Sequence, residues 1–321
     1  MCGRLNCYCA YSSYSQRLSS KLKGGQTAEW QKPELFQPSS NLAPTCYVPV
    51  LYRNKDNELI IRPMKWGIIT SAWHMLHNVR SETIAAHKSY SWIFQDGGNC
   101  AILCDGFYEW NNKRPFFFYD SATQFDASII TPKWNEEDWL KNGPPMMVLA
   151  GIYSISTDEG SETFTCSVLT REATSSLREI HHRTPIVLEN EEQIMTWLSA
   201  SLDRNIEKSS TFLMGVKNEN VGTYQVSPKV NNSKYQGTDC YHPLASTQGP
   251  LDRWMTKVAN PVSSSKQEDG GKPTVDLKSS SSLQQDSNCR MAKRKSSSDE
   301  NSPKKKSPKI TDWFKRSPAK P

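Results

Sequence analysis

Apolar residues in this chain come in short bursts separated by polar ones. Runs at 48–52, 59–61, 100–104, 116–119, 146–152, 164–169 and 185–188 are brief, and several are rich in Val, Ile, Phe or Tyr. Runs of that length and type predict strands. Helical periodicity is scarcer: 191–198 puts Ile194, Trp197 and Leu198 on one face, and 173–180 is the other candidate. The pattern therefore predicts an α+β fold, a single mostly β domain with a curved sheet or barrel core and a few helices. The stretch 120–145, polar and carrying Pro132, Pro144 and Pro145, reads as a surface excursion between strands. No internal repeat is present.

Beyond about residue 250 the pattern stops, and Ser, Lys, Pro and Gln predominate with little to bury. Two parts are expected: a folded domain over 1–250 and a disordered C-terminal tail over 251–321. Charge divides the same way. The tail holds 16 Lys+Arg against 8 Asp+Glu, a net +8, which leaves −2 on the first 250 residues. Lys293-Arg294-Lys295 and Lys304-Lys305-Lys306 read as a bipartite nuclear import signal. Two stretches place an aliphatic residue three before a large apolar pair: Gln248, Leu251, Trp254 and Met255, then Ser307, Ile310, Trp313 and Phe314. Both resemble the docking peptide for the replication sliding clamp, although Ser307 stands where that peptide has Gln. The nine cysteines form no Cys-x-x-Cys pair and no His follows at finger spacing, so a reduced intracellular protein without zinc or other cofactor is expected. No apolar run reaches membrane-span length, and the first thirty residues are too polar for a signal peptide.

The start, Met1-Cys2-Gly3-Arg4, changes the picture. Trimming Met1 leaves a cysteine with a free α-amine and a thiol on adjacent carbons. With reference values of about 8 and 8.5, both groups are partly nucleophilic near neutral pH. Such a terminus condenses with aldehydes, first as a Schiff base and then as a thiazolidine ring. Polar clusters interrupt the apolar runs elsewhere. In the segment 76–82, extended backbone points Asn78 and Arg80 to one face, as a functional pair or a solvated strand edge. Glu109, between Tyr108 and Trp110, is either buried with a raised pKa or turned outward. His181 and His182 cannot both face one metal on a strand; one His as a general acid, with Arg183 contacting an anion, is the alternative.

Together, Met-Cys-Gly-Arg, Asn-x-Ala-Pro-Thr from Asn41, Trp66-Gly67, Asn-x-Arg-x-Glu-Thr from Asn78, Asp-Gly-Phe-Tyr-Glu-Trp from Asp105 and His-His-Arg-x-Pro from His181 resemble the SOS-response-associated-peptidase family. The resemblance runs from Cys2 to about Leu244. It implies a β-rich monomer that binds single-stranded DNA and captures abasic sites through the terminal cysteine, without a cofactor. It also implies work in the nucleus, at chromosomes and replication forks. By motif position Cys2 is the nucleophile, Asn78 orients it, Glu109 moves protons and His181 assists sugar-ring opening. Arg4, Arg80 and Arg183 fall at phosphate contacts, and Pro44 and Trp73 line the DNA path. Thr70 and Val79 depart from the family's usual Pro and Ala. Three other readings share the start: a thiol autopeptidase that removes its own Met1, a non-catalytic binder of modified cytosine, and a glutamine amidotransferase, for which no glutamine-binding motif is found.

Overall fold

The computed structural model describes residues 2–70, 74–84, 93, 98–123, 125–131, 133–200 and 206–244. Trp73, the import signal and both clamp-like peptides lie outside the described residues. In chain order the strands are β1 (Leu5–Cys7), β2 (Glu29–Trp30), β3 (Ser39–Leu42), β4 (Tyr47–Arg53), β5 (Leu59–Trp66), β6 (Ile68–Ile69), β7 (Met75–Leu76) and β8 (Asn78–Arg80). Then come β9 (Gly98–Cys104), β10 (Gly106–Asn111), β11 (Arg114–Asp120), β12 (Met147–Asp158), β13 (Ser161–Glu172), β14 (Arg183–Pro185) and β15 (Val221–Gln225).

Five of these strands close on themselves. The order β13-β12-β9-β4-β5 is antiparallel throughout, and β5 returns to run parallel to β13 through Thr165↔Lys65 and Cys166↔Trp66. The result is a closed five-stranded barrel, which leaves these strands no free edge there. Each position of β9 is buried, as its continuous apolar run requires. Above the β5 contact, β8 takes over the edge of β13, with Asn78 opposite Val168 and Arg80 opposite Thr170.

A second antiparallel sheet, β15-β11-β10-β1-β3, leaves the barrel at one residue. Only Asp105 separates β9 from β10. The corner must be tight, and Gly106 permits it: a Cβ there would lie 2.3 Å from the Phe118 carbonyl oxygen and 2.4 Å from Phe117 Cζ.

The helices depart further from expectation. α1 (Tyr11–Lys21) and α2 (Glu136–Asn142) carry no clear apolar stripe, while α3 is the four-residue turn Ser175–Arg178, shorter than the predicted 173–180. α4 (Glu191–Ser199) matches its prediction, burying Ile194, Trp197 and Leu198, with the Trp197 indole N–H donating to the Cys100 carbonyl at 2.8 Å. α5 spans Ile206–Gly215. The predicted excursion at 120–145 contains α2, started by a capping box in which Asn135 accepts from the Asp138 amide. It drives Trp139, 1% exposed, into the core against Tyr241 and Phe117. The run 185–188 leaves the strand after Pro185 and alternates its amides between neighbours: Ile186 bonds Leu169 and Leu188 bonds Val148.

Candidate active site

The β1–β10 pairing, Leu5↔Phe107, brings the chain's start alongside Glu109, and the Tyr108 amide donates to the Arg4 carbonyl at 3.1 Å. Cys2 is fully buried there, and its thiol donates to the same Arg4 carbonyl at 3.7 Å. Burial raises the thiol's pKa well above its ordinary value, and the charges of Glu109 and Cys104 raise it further, so the resting sulfur keeps its proton.

Asn78 arrives from the barrel side. The β8–β13 pairing carries it to Cys2, whose carbonyl accepts from Asn78 Nδ2 at 2.5 Å. Alternation along β8 buries Val79 between the half-buried Asn78 and the exposed Arg80. Asn78 Oδ1 is buried with no hydrogen-bond partner among the described residues.

Glu109 is 3% exposed on β10. Burial pushes its carboxyl up to about 7, against the opposing pull of the chain's amino terminus. His181 Nδ1 lies 3.7 Å from Glu109 Oε1 and 2.9 Å from the Arg183 carbonyl oxygen. Burial lowers the imidazole's pKa despite the raising effect of that backbone contact, which keeps His181 neutral at neutral pH. Asn111 Nδ2 ties the end of β10 to the Glu179 carbonyl at 2.7 Å, locking the loop that presents His181. Four elements thus bring a thiol, a carboxamide, a carboxyl with a mid-range pKa and a neutral imidazole to one place.

The arginines divide. Arg80 is exposed beside Asn78. Arg4 is half-buried, with NH1 donating to Asn41 Oδ1 at 2.9 Å and to the Val230 carbonyl at 2.8 Å. Its guanidinium also lies 6.0 Å from the Trp110 ring centroid. Arg4, Trp110, Lys113 and Asn231 line an open cleft of about 430 Å³. The indole N–H of Trp110 is fixed on Asn231 Oδ1 at 2.5 Å. Arg183, expected at a phosphate, is engaged within the fold. It is buried, with a bidentate pair to Glu82 at 2.8 and 2.9 Å and a bond to the Thr170 carbonyl at 2.6 Å, so it braces the β8 end to β13 and β14. Pro44 sits half-buried on the turn between β3 and β4. There Thr45 adopts φ +80°, uncommon for a β-branched residue, and bonds the Trp66 carbonyl at 2.7 Å. Asn41 was visible as the head of the Asn-x-Ala-Pro-Thr motif, but not its role: its four side-chain contacts join chain segments far apart in number.

A buried cysteine at the second position, at the junction of a closed barrel and a second sheet and flanked by Asn, Glu and His, defines the class. The chain belongs to the SOS response associated peptidase (SRAP) family, whose pattern it matches over residues 1–233. Among its relatives, abasic site processing protein HMCES of Pongo abelii is 28% identical, over 76% of this chain and 76% of its own length. Abasic site processing protein YoaM of Bacillus subtilis is 26% identical, over 73% of this chain and 94% of its own. In fold, the chain is similar to a crystal structure of a Bacteroides thetaiotaomicron protein, with TM-score 0.53 and 18% identity, covering 76% of this chain and all of that one. A phage-related protein of Bordetella bronchiseptica is similar at TM-score 0.52, also with 18% identity, over 74% of this chain and 99% of that one.

Proposed function

We propose that this protein captures abasic sites in single-stranded DNA, forming a thiazolidine DNA–protein crosslink through Cys2 after Met1 is removed. The observation that carries this reading is the convergence of Asn78, Glu109 and His181 on buried Cys2, the second residue of the chain. The names of its relatives support the lesion as substrate.

The ring-opened abasic sugar presents an aldehyde. The Cys2 amine attacks the carbonyl carbon, and loss of one water gives a C=N bond. Cys2 Sγ then adds to the imine carbon, the thiol proton ends on nitrogen, and a five-membered ring closes. Atoms balance with release of one water and no oxidant. A carboxyl titrating near 7 suits both proton movements: protonated, it donates to the departing hydroxyl, and ionised, it accepts from the thiol. Asn78 fixes the Cys2 main chain through its carbonyl, and neutral His181 assists opening of the sugar ring. Arg80 and the remaining donors of Arg4 contact phosphates, with Pro44 and Trp73 along the strand's path. On this reading the protein works in the nucleus, where its tail provides an import signal and clamp-docking peptides.

The test is incubation of the Met1-free chain with single-stranded DNA bearing one abasic site. The expected product survives heat and denaturant, with the combined mass less one water. It is absent with Cys2→Ala and with Met1 retained. Crosslinking by Cys2→Ala at the wild-type rate would sink the mechanism.

A further inference from the structure

We infer that Asn41 is a positioning residue for the reactive cysteine, acting through Arg4; the inference rests on the chemistry proposed at Cys2. Asn41 lies on β3 and is 1% exposed. Its Oδ1 accepts from Arg4 NH1 at 2.9 Å. Its Nδ2 lies 3.2 Å from the Val230 carbonyl oxygen and 3.0 Å from those of Asn232 and Tyr235. The same Arg4 nitrogen donates to the Val230 carbonyl at 2.8 Å. One amide therefore clasps β3, the chain start and the closing segment 230–235 together.

The backbone ladder does not do this alone. β1 begins only at Leu5, and its pairing with β3 shifts register between Leu5 and Cys7. Residues 2–4 precede the strand, so Arg4 is held by its carbonyl, which accepts from the Tyr108 amide, and by the clasp on its side chain. That carbonyl is also the acceptor for the Cys2 thiol. Displacing Arg4 therefore moves the sulfur relative to Glu109 and Asn78. A buried carboxamide with both ends occupied fixes direction as well as distance, which an apolar residue of equal volume cannot do.

The experiment is single-turnover crosslinking of the Met1-free full chain against increasing abasic single-stranded DNA, giving a maximal rate and a half-saturating concentration, alongside Tm. Asn41→Asp keeps an oxygen facing Arg4 and loses the donors to the closing segment; Asn41→Ala loses both. Both variants are expected to melt earlier. Asn41→Ala should lower the maximal rate at saturating DNA on the order of tenfold or more, a loss that remains after any rise in half-saturation from the loosened Arg4 guanidinium, as misplacement of a bound reactive group predicts. Asn41→Asp should stay within about threefold of wild type in maximal rate, because the Arg4 contact survives. If Asn41→Ala does not fold, Asn41→Ser, too short to reach Arg4, replaces it with the same expected loss. A wild-type maximal rate in Asn41→Ala, or equal losses in Asn41→Ala and Asn41→Asp, overturns the positioning role. No adduct with the wild-type chain overturns the reading at Cys2 itself, and the inference with it.

Discussion

Asp105 and Glu109 are both buried carboxyl groups, four residues apart on one pass of the chain, and they end in opposite states. Asp105 accepts from the amides of Tyr8 and Cys9, the Tyr14 hydroxyl, the Trp139 indole and the guanidinium of Arg17. Burial alone would raise its pKa, but the Arg17 charge and these donors overcome that and hold it below the usual carboxylate range. Glu109 is nearly as buried, and there desolvation outweighs the lowering pull of the amino terminus, so its carboxyl rises to about 7. Depth is common to both, so the partners decide. One group is a permanent anion that staples β1 and α1 to the barrel exit, and the other can gain or lose a proton at neutral pH.

The comparison is open to attack at four points. The largest effect is expected at Asp105→Asn, which strands the Arg17 charge in its mostly enclosed site: about 3–5 kcal/mol of stability, or roughly 6–20 °C in Tm, checked by thermal unfolding. Glu109→Gln should instead slow crosslinking by on the order of 100-fold, the usual share of a general acid–base group, measured in single turnover. Its stability should also respond to pH with a definite sign. Because folding raises the Glu109 pKa from 4.5 to about 7, its favourable contribution is complete below about 4.5 and is lost as pH rises through about 7. The Gln variant should therefore lack a decline of about 3 kcal/mol across that window, seen by denaturant titration at several pH values. A smaller change is expected at Glu82→Gln, which weakens the Arg183 brace. Glu82 is 45% exposed, so solvent screening limits the loss to about 1 kcal/mol. The smallest stability effect belongs to exposed Arg80→Ala, within about 0.5 kcal/mol of wild type. Its signature is weaker DNA binding with a shallower salt dependence, and an unchanged slope would remove it from the phosphate contacts.

The same contrast explains what could be read from sequence. The barrel strands were legible because burial on both faces writes a continuous apolar run, as in β9. α4 was legible because one face carries Ile194, Trp197 and Leu198. α1 was not, since Tyr11–Lys21 is Ser-rich and buries only Ser13, Tyr14 and Leu18. α2 was hidden because Trp139 is its one buried residue and its other apolar side chain, Leu140, faces solvent. At the site, the residue types were visible in the motifs, but their partners were not. Asn78 bonds a main-chain carbonyl, which no side-chain pattern encodes. Arg183 carries the same charge whether it meets a phosphate or Glu82, and only the arrival of β8 beside β13 and β14 selects Glu82. Asp105 drew no role from its motif because Tyr14, Arg17 and Trp139 come from helices that were themselves illegible.

The complete burial of Cys2 has a consequence for shelf life. An amino-terminal cysteine on a loose peptide is consumed by whatever dissolved carbonyl or alkylating agent it meets first. Here the sulfur has no solvent contact and holds its proton firmly. On the chemistry proposed above, that thiol is therefore shielded from small dissolved electrophiles and meets a carbonyl only on a docked strand.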